Sequence, residues 1–460
     1  MEADGIHGLA QLRGDVGGTS VAEHVDDRED APPQRVRHRL HHRRAGCLNR
    51  CIQHSAPLLR RRNYLLWLGG DTAQQLGLGL GCFAMPLLTL AVTGSPAVAG
   101  TVAAAQALGG VIGFLPGGVL ADRYDRRLLR TWSAVIGLVL SAAIAVLAAL
   151  GLLDAWALAN LGFLLQLRAS LLSPASEAML RTIVDKKQLA QAVANNQGRD
   201  AAVSLASGPL GGLLLALGYA APFLAQAASF VVMWVTNAAI DGEHRARREE
   251  PTTMWRDLRD GLAFVGRSRL ILVTCGLFMI LNLAMNGVVM ATLYSMQMAG
   301  HRPEVIGMVT FALGAGALLG AVLAGQAVKR IPTGVLVVAC MGAFAAAMVV
   351  VTIWPDLRVV LPVLGVVMVS APAVNAAVGG LLMHVVPNEM LGRVESVITF
   401  LAILMAPLSP ALAGWGLGLV GLAGTYGFFA LLGVGVAVVC AAYRPVRSLP
   451  RMDSWDEVRV

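Results

Sequence analysis

From residue 64 to residue 442 the chain is a succession of apolar segments, most of them longer than the ~18 residues that a bilayer-crossing helix requires. They read as spans at 64–92, 98–120, 131–153, 156–179, 189–217 and 220–240. After a charged stretch come 270–298, 305–328, 334–354, 359–386, 391–419 and 421–442. Hydrophobic residues make up 56% of the chain and charged residues 14%. A water-soluble domain carries about a quarter charged residues, so this chain lacks the polar surface to face water. Its 51 glycines suit close helix approach in lipid. The fold class expected is all-α and integral to the membrane, with the lipid bilayer as its solvent.

The loop charges orient the spans. With a cytosolic N-terminus, the inner loops hold Arg123, Arg126, Arg127, Arg130, Arg181, Lys186 and Lys187. They continue with seven arginines between Arg245 and Arg269, then Lys329, Arg330 and Arg393. The outer turns hold Arg302 and Arg358. This positive-inside bias predicts a multi-pass protein of the plasma (inner) membrane with both termini cytoplasmic. The same bias accounts for the net charge of +8 without a nucleic-acid partner.

Residues 1–62 differ from the rest: they are rich in Arg and His and show no apolar period, as in a disordered basic extension. Cys47 and Cys51, near His41, His42 and His54, match no standard zinc spacing, so no metal is expected. The remaining segments divide into a first bundle at 63–240, a cytosolic central loop at 241–269, a second bundle at 270–443 and a tail at 444–460. Within the central loop, Trp255, Leu258, Leu262 and Val265 recur at helical spacing, which predicts an amphipathic helix on the inner membrane surface.

The two halves repeat. At a constant offset of 207, Pro96, Gly100, Val102, Gly109, Gly113 and Arg123 meet Pro303, Gly307, Val309, Gly316, Gly320 and Arg330. A duplicated six-plus-six arrangement around a charged loop predicts two six-helix bundles related by symmetry.

After the second span runs Gly118-Val-Leu-Ala-Asp122-Arg123-Tyr-Asp-Arg126-Arg127. This resembles the cytosolic loop signature of the major facilitator superfamily, with Asp125 standing where that pattern has glycine. The variant is similar to that of bacterial enterobactin and macrolide exporters. The resemblance implies that Asp122 meets the start of the eleventh span, near residues 391–393, and so latches one transport state. The fifth span carries Gly208-Pro209-Leu-Gly211-Gly212, which resembles part of the motif of drug–proton antiporters; an ordinary small-residue packing face is the alternative.

Ionisable groups inside a bilayer are expensive and point to function or to a structural ion pair. Asp71 lies nine residues past Arg62, about 13 Å along the first span. It is the candidate proton carrier, with Arg168 as first and Arg199 as second cationic partner, and Asp200 as the next acid. Gln74 and Gln75, Asn282 and Asn286, and Asn375 are candidate cavity residues on the first, seventh and tenth spans, which line the cavity by resemblance. Each amide equally fits an interhelical hydrogen bond. No nucleotide-binding loop or nucleophile motif is present, so no cofactor and no enzymatic activity are expected. The resemblance implies a monomeric secondary transporter that couples protons to efflux of a small hydrophobic or amphipathic molecule. An importer on the same fold and a transport-inactive receptor stay open.

Overall fold

A computed structural model of the chain describes residues 58–185, 188–241 and 254–457. The Cys47/Cys51 segment and most of the N-terminal extension lie outside the described residues. The described residues are helical, without a strand. The first six spans are Arg62–Thr93, Pro96–Arg123, Arg126–Leu150, Ala155–Leu172 continued by Pro174–Ile183, Leu189–Leu217 and Ala221–Ala238. A linker helix, Met254–Arg267, leads to the seventh to tenth spans at Arg269–Met298, Pro303–Arg330, Thr333–Ile353 and Leu357–Val385. The eleventh begins as Asn388–Leu404 and runs into the long helix Leu408–Ala442.

That last stretch contains two crossings. Eleven helical segments are long and apolar enough to span, and one of them, Met390–Ala442, has 53 residues. At ~1.5 Å per residue it would reach ~80 Å, well beyond the ~30 Å of hydrocarbon. Gly421 breaks it, with φ 70° and ψ −174°, a conformation open to glycine. Gly414 lies against the start of the second span, whereas Cys440 packs beside Met341 near the start of the ninth. The chain therefore turns back at Gly421, and twelve crossings result.

Local sequence sets the helix ends. Ser95, Asp154, Ser268 and Asp356 accept hydrogen bonds from the first free amides of the spans that follow them. Asp125, the departure from the loop signature, does the same work: its carboxylate accepts from the amides of Arg127 and Leu128 and starts the third span. Gly94 and Gly151 end the first and third spans in the left-handed region.

The 207-residue repeat is visible in the packing. Gly109 lies against the carbonyl of Phe163 in the fourth span, and Gly316 against that of Gly365 in the tenth. Gly113 meets Ser170 and Gly320 meets Val369. Equivalent glycines thus bring equivalent backbones together in each half.

Three segments make packing contacts that their sequence does not disclose. Leu58 is buried and Arg61 pairs with Asp185 at 2.7 Å, so the body begins before residue 63. The tail is docked: Trp455 donates its indole N–H to Thr333 Oγ1 at 3.1 Å, and the amide of Gly334 donates to the Leu449 carbonyl at 3.2 Å. The linker helix also seats on the body: its Val265 is buried with Val394 and Val397 of the eleventh span, Leu258 and Phe264 pack against the same cluster, and Leu262 stays exposed. The side chain of Trp255 lies outside the described residues.

Candidate transport pathway

The chain has a basic end, carrying the loop arginines, and a far end. At the far end the bundles are locked by backbone crossings that leave no room for a Cβ. Gly100 of the second span lies against Pro410 and Gly414 of the eleventh. Gly208 and Gly212 of the fifth lie against Gly307 and Pro303 of the eighth. Gln297 of the seventh span donates to the Leu87 carbonyl of the first at 2.8 Å, and Trp415 donates to Thr101 at 3.1 Å. The Gly-Pro-rich motif therefore forms the fifth–eighth crossing, while its Gly211 faces Phe83 within the first bundle.

Towards the basic end the contacts thin out. Phe114 and Phe400 still stack at 6.4 Å. Beyond them Gly118, Asp122 and Arg123 are exposed, and Asp122 holds no ion pair among the described residues. The remaining signature arginines bind inside the first bundle: Arg126 donates to the Ala178 carbonyl at 3.0 Å and Arg127 to that of Ala238 at 2.6 Å. Arg127 thereby caps the end of the sixth span. The bundles are closed at the far end and splayed at the basic end.

Asp71 is buried in the basic half of the first span, and its partner is Arg199. The Arg199 Nη1 to Asp71 Oδ2 distance is 2.8 Å, with both side chains 11% exposed. Ser176 Oγ also donates to Asp71 Oδ1. Arg199 turns its other amino group to Asp200 at 2.7 Å, whose carboxylate is half-exposed. Beneath this pair lies Trp67, one helical turn before Asp71, with its indole N–H on the Ser176 carbonyl at 3.1 Å. The Arg199 and Arg130 guanidiniums stand 5.8 and 5.9 Å from the Trp67 ring centre, within cation–π range.

Arg168, the first-choice partner, is engaged elsewhere. It is buried among the third, fourth and sixth spans, donates to Ser133 Oγ at 2.8 Å and lies 4.6 Å from the Phe230 ring centre. Gln74 is buried, its amide 3.5 Å from Ser173 Oγ, and Gln75 is half-buried. Asn282, Asn286 and Asn375 are exposed; the first two donate to the backbone one turn earlier, at 3.0 and 2.9 Å. Exposed amides on a spanning helix are costly against lipid, which suits the faces of the splayed cleft. Asn195 and Asp200 expose the fifth span in the same way.

Sequence reasoning overlooked Trp67, Ser176 and Arg130. Arg130, a loop charge by its place in the sequence, is fully buried. Its signal was position: it lies one turn inside the third span, after Leu128 and Leu129. An apolar groove between the ninth and twelfth spans, lined by Val349, Ile353, Phe428 and Leu431, contains no ionisable group and is no pathway for ions. Among the described residues no cluster of His, Cys, Asp and Glu could hold a metal ion.

The family described as transmembrane secretion effector matches residues 53–459. Comparison with curated protein sequences finds no match. Among solved structures, the nucleoside transporter NupG is similar with a TM-score of 0.64 at 12% identity, over 83% of this chain and 98% of that one. A bacterial homologue of the iron transporter ferroportin, in its inward-facing state, gives 0.63 at 16%, over 84% and 100%. A D-xylose–proton symporter gives 0.60 at 14%, over 84% and 100%. Such low identities carry the fold alone. Family, twelve crossings and paired bundles agree: the chain belongs to the transmembrane secretion effector family of the major facilitator superfamily and is a multi-pass membrane transporter, not an enzyme.

Proposed function

We propose that the chain is a proton-coupled exporter of a small hydrophobic or amphipathic compound, such as an antibiotic, drug or siderophore. It acts as a monomer in the inner membrane, with the basic end and both termini in the cytoplasm. The observation that carries this reading is the Asp71–Arg199 pair, a carboxylate held in the apolar zone beside the open cleft. A paired, ionised Asp71 is the form left after a proton has gone to the cytosol, in a state open to the cytosol and ready for cargo. Protonation of Asp71 from the other side removes the attraction for Arg199, whose guanidinium keeps Asp200 as its partner. The two protonation states then favour different arrangements of the cleft, which is how ion binding shifts a population. Rocking of the bundles about the far-end crossings supplies alternating access.

The test uses inside-out vesicles and a labelled macrolide. An interior-acid gradient should drive its accumulation, a protonophore should collapse it, and Asp71→Asn should lose the gradient dependence. Accumulation only in right-side-out vesicles would make the protein an importer. Accumulation indifferent to the protonophore would remove the proton. Compounds of other classes, tried in the same assay, define the cargo.

A further inference from the structure

The second and eleventh spans pair antiparallel in a fixed register. Gly100 meets Gly414 at the far end; fourteen residues along each chain, Phe114 stacks on Phe400. Eight more residues bring the two helices to Asp122 and Gly392, beside Arg393. If the basic end closes without a slip in register, Asp122 therefore arrives at Arg393. In the splayed structure that guanidinium already has a partner: Arg393 Nη1 lies 3.4 Å from Asp260 Oδ2, with the side chains 35% and 33% exposed. Asp260 is borne on the linker helix, whose seat is tightly built. A Cβ on the next residue, Gly261, would come within 2.8 Å of the Arg393 carbonyl and of Val397. Val265, Val394 and Val397 are buried around the same contact. The linker helix thus holds a carboxylate at the point where the two bundles would latch.

We propose that Asp260 is a positioning residue for alternation. It holds Arg393 while the basic end is splayed, and Arg393 exchanges Asp260 for Asp122 when the bundles close there. Two carboxylates compete for one guanidinium, so forming the latch costs a similar ion pair elsewhere. Partly exposed pairs of this kind are individually weak. Their exchange keeps the two states near balance, whereas an uncontested latch would bias the closed one. The inference rests on the alternation in the proposed function, and on neither its direction nor its driving ion.

The experiment is a distance measurement on the full chain in lipid, with spin labels carried by non-natural amino acids at Arg181 and Lys329. Both positions are exposed at the basic end, one on each bundle. Asp260→Asn should raise the short-distance population about threefold, the scale of a weak ion pair. Asp122→Asn should lower it, the double variant should return near the starting balance, and Asp260→Glu should leave it unchanged. An unaltered or longer distance in correctly inserted Asp260→Asn overturns the proposal. Should that variant fail to insert, the swap Asp260→Arg with Arg393→Asp carries the test. It restores the linker pair but repels Asp122, so the short-distance population must fall, and an unchanged one overturns the exchange. The readout needs neither cargo nor gradient. Failure of proton-driven efflux in the same chain would remove the driving ion and leave this result standing.

Discussion

The groups gathered around Asp71 are of unequal consequence. Ser176 supplies a hydrogen bond, Arg199 a full charge at 2.8 Å, and Trp67 a ring that carries Arg199 and Arg130 on its π system. Replacing the acid and replacing the base should therefore differ. Asp71→Asn keeps a hydrogen-bonding group of the same shape and leaves Arg199 with Asp200. It is expected to insert normally, bind cargo and lose acceleration by an imposed pH gradient, as read by vesicle transport. Arg199→Ala strands a nearly buried carboxylate, a change that costs about 3–5 kcal/mol in such settings. Its first effect should be a lowered thermal midpoint, with transport lost as a consequence; an unchanged midpoint would show that Asp71 has another cation in reserve. The acid was legible in the sequence, because height along a helix follows from counting residues. The partner was not. Arg168 and Arg199 are both placed inside spans by counting, but counting does not give the direction in which a side chain leaves its helix relative to its neighbours. Arg168 points into the third and sixth spans, towards Ser133 and Phe230.

The elements meet across the bundles through glycine. Gly208 with Gly307, and Gly100 with Gly414, are crossings related by the repeat, one on each side of the far end. Backbones this close gain dispersion along their whole contact, and a side chain at the crossing forfeits it. Gly307→Leu should therefore hold the far end apart without unfolding either bundle. The expected outcome is normal insertion, at least a tenfold loss of transport, and faster alkylation in intact cells of a cysteine at Thr89, which is fully buried in the far half of the first span. Gly276→Leu, at a glycine with open space around it, is the control and should change neither. Slow alkylation in Gly307→Leu would mean that the crossing does not close the far end. Repeat and spans could be read from apolar runs and recurring glycines, since both are local properties of the chain. The seat of the linker helix could not, because an amphipathic face looks the same whether it meets lipid or, as here, Val394 and Val397. The reversal at Gly421 belongs with the legible features: the apolar runs 391–419 and 421–442 already part there, and the positive φ of the glycine supplies the physical reason.

At the scale of the whole molecule, two properties decide how the transporter works: where its body starts and which way it faces. Leu58 and Arg61 pack on the fourth and fifth spans' basic ends, Arg61 through Asp185, so the useful boundary lies before residue 58. Deleting residues 1–55 should leave insertion and transport intact, whereas deleting 1–61 should destabilise the first span; loss of transport in the shorter, normally inserted deletion would give the extension a function. Orientation is the larger question, because it assigns a side to the open cleft. The basic end holds nearly all the loop arginines, and translocating them is what the insertion machinery resists. Asp154 and Pro355 lie in turns at the far end, Arg127 and Arg256 at the basic end. Asp154→Cys removes a helix cap and costs roughly 1 kcal/mol, small enough for the chain to insert. Single cysteines at these four positions, in a background without the native ones, should divide cleanly. An impermeant maleimide added to intact cells should label positions 154 and 355 and spare 127 and 256. The reverse pattern would turn the splayed cleft to the outside. Asp71 would then give up its proton outside the cell, and a proton entering down its gradient could no longer be exchanged for an outgoing compound in the order proposed. Labelling position 256 from outside would therefore sink the exporter reading along with the topology.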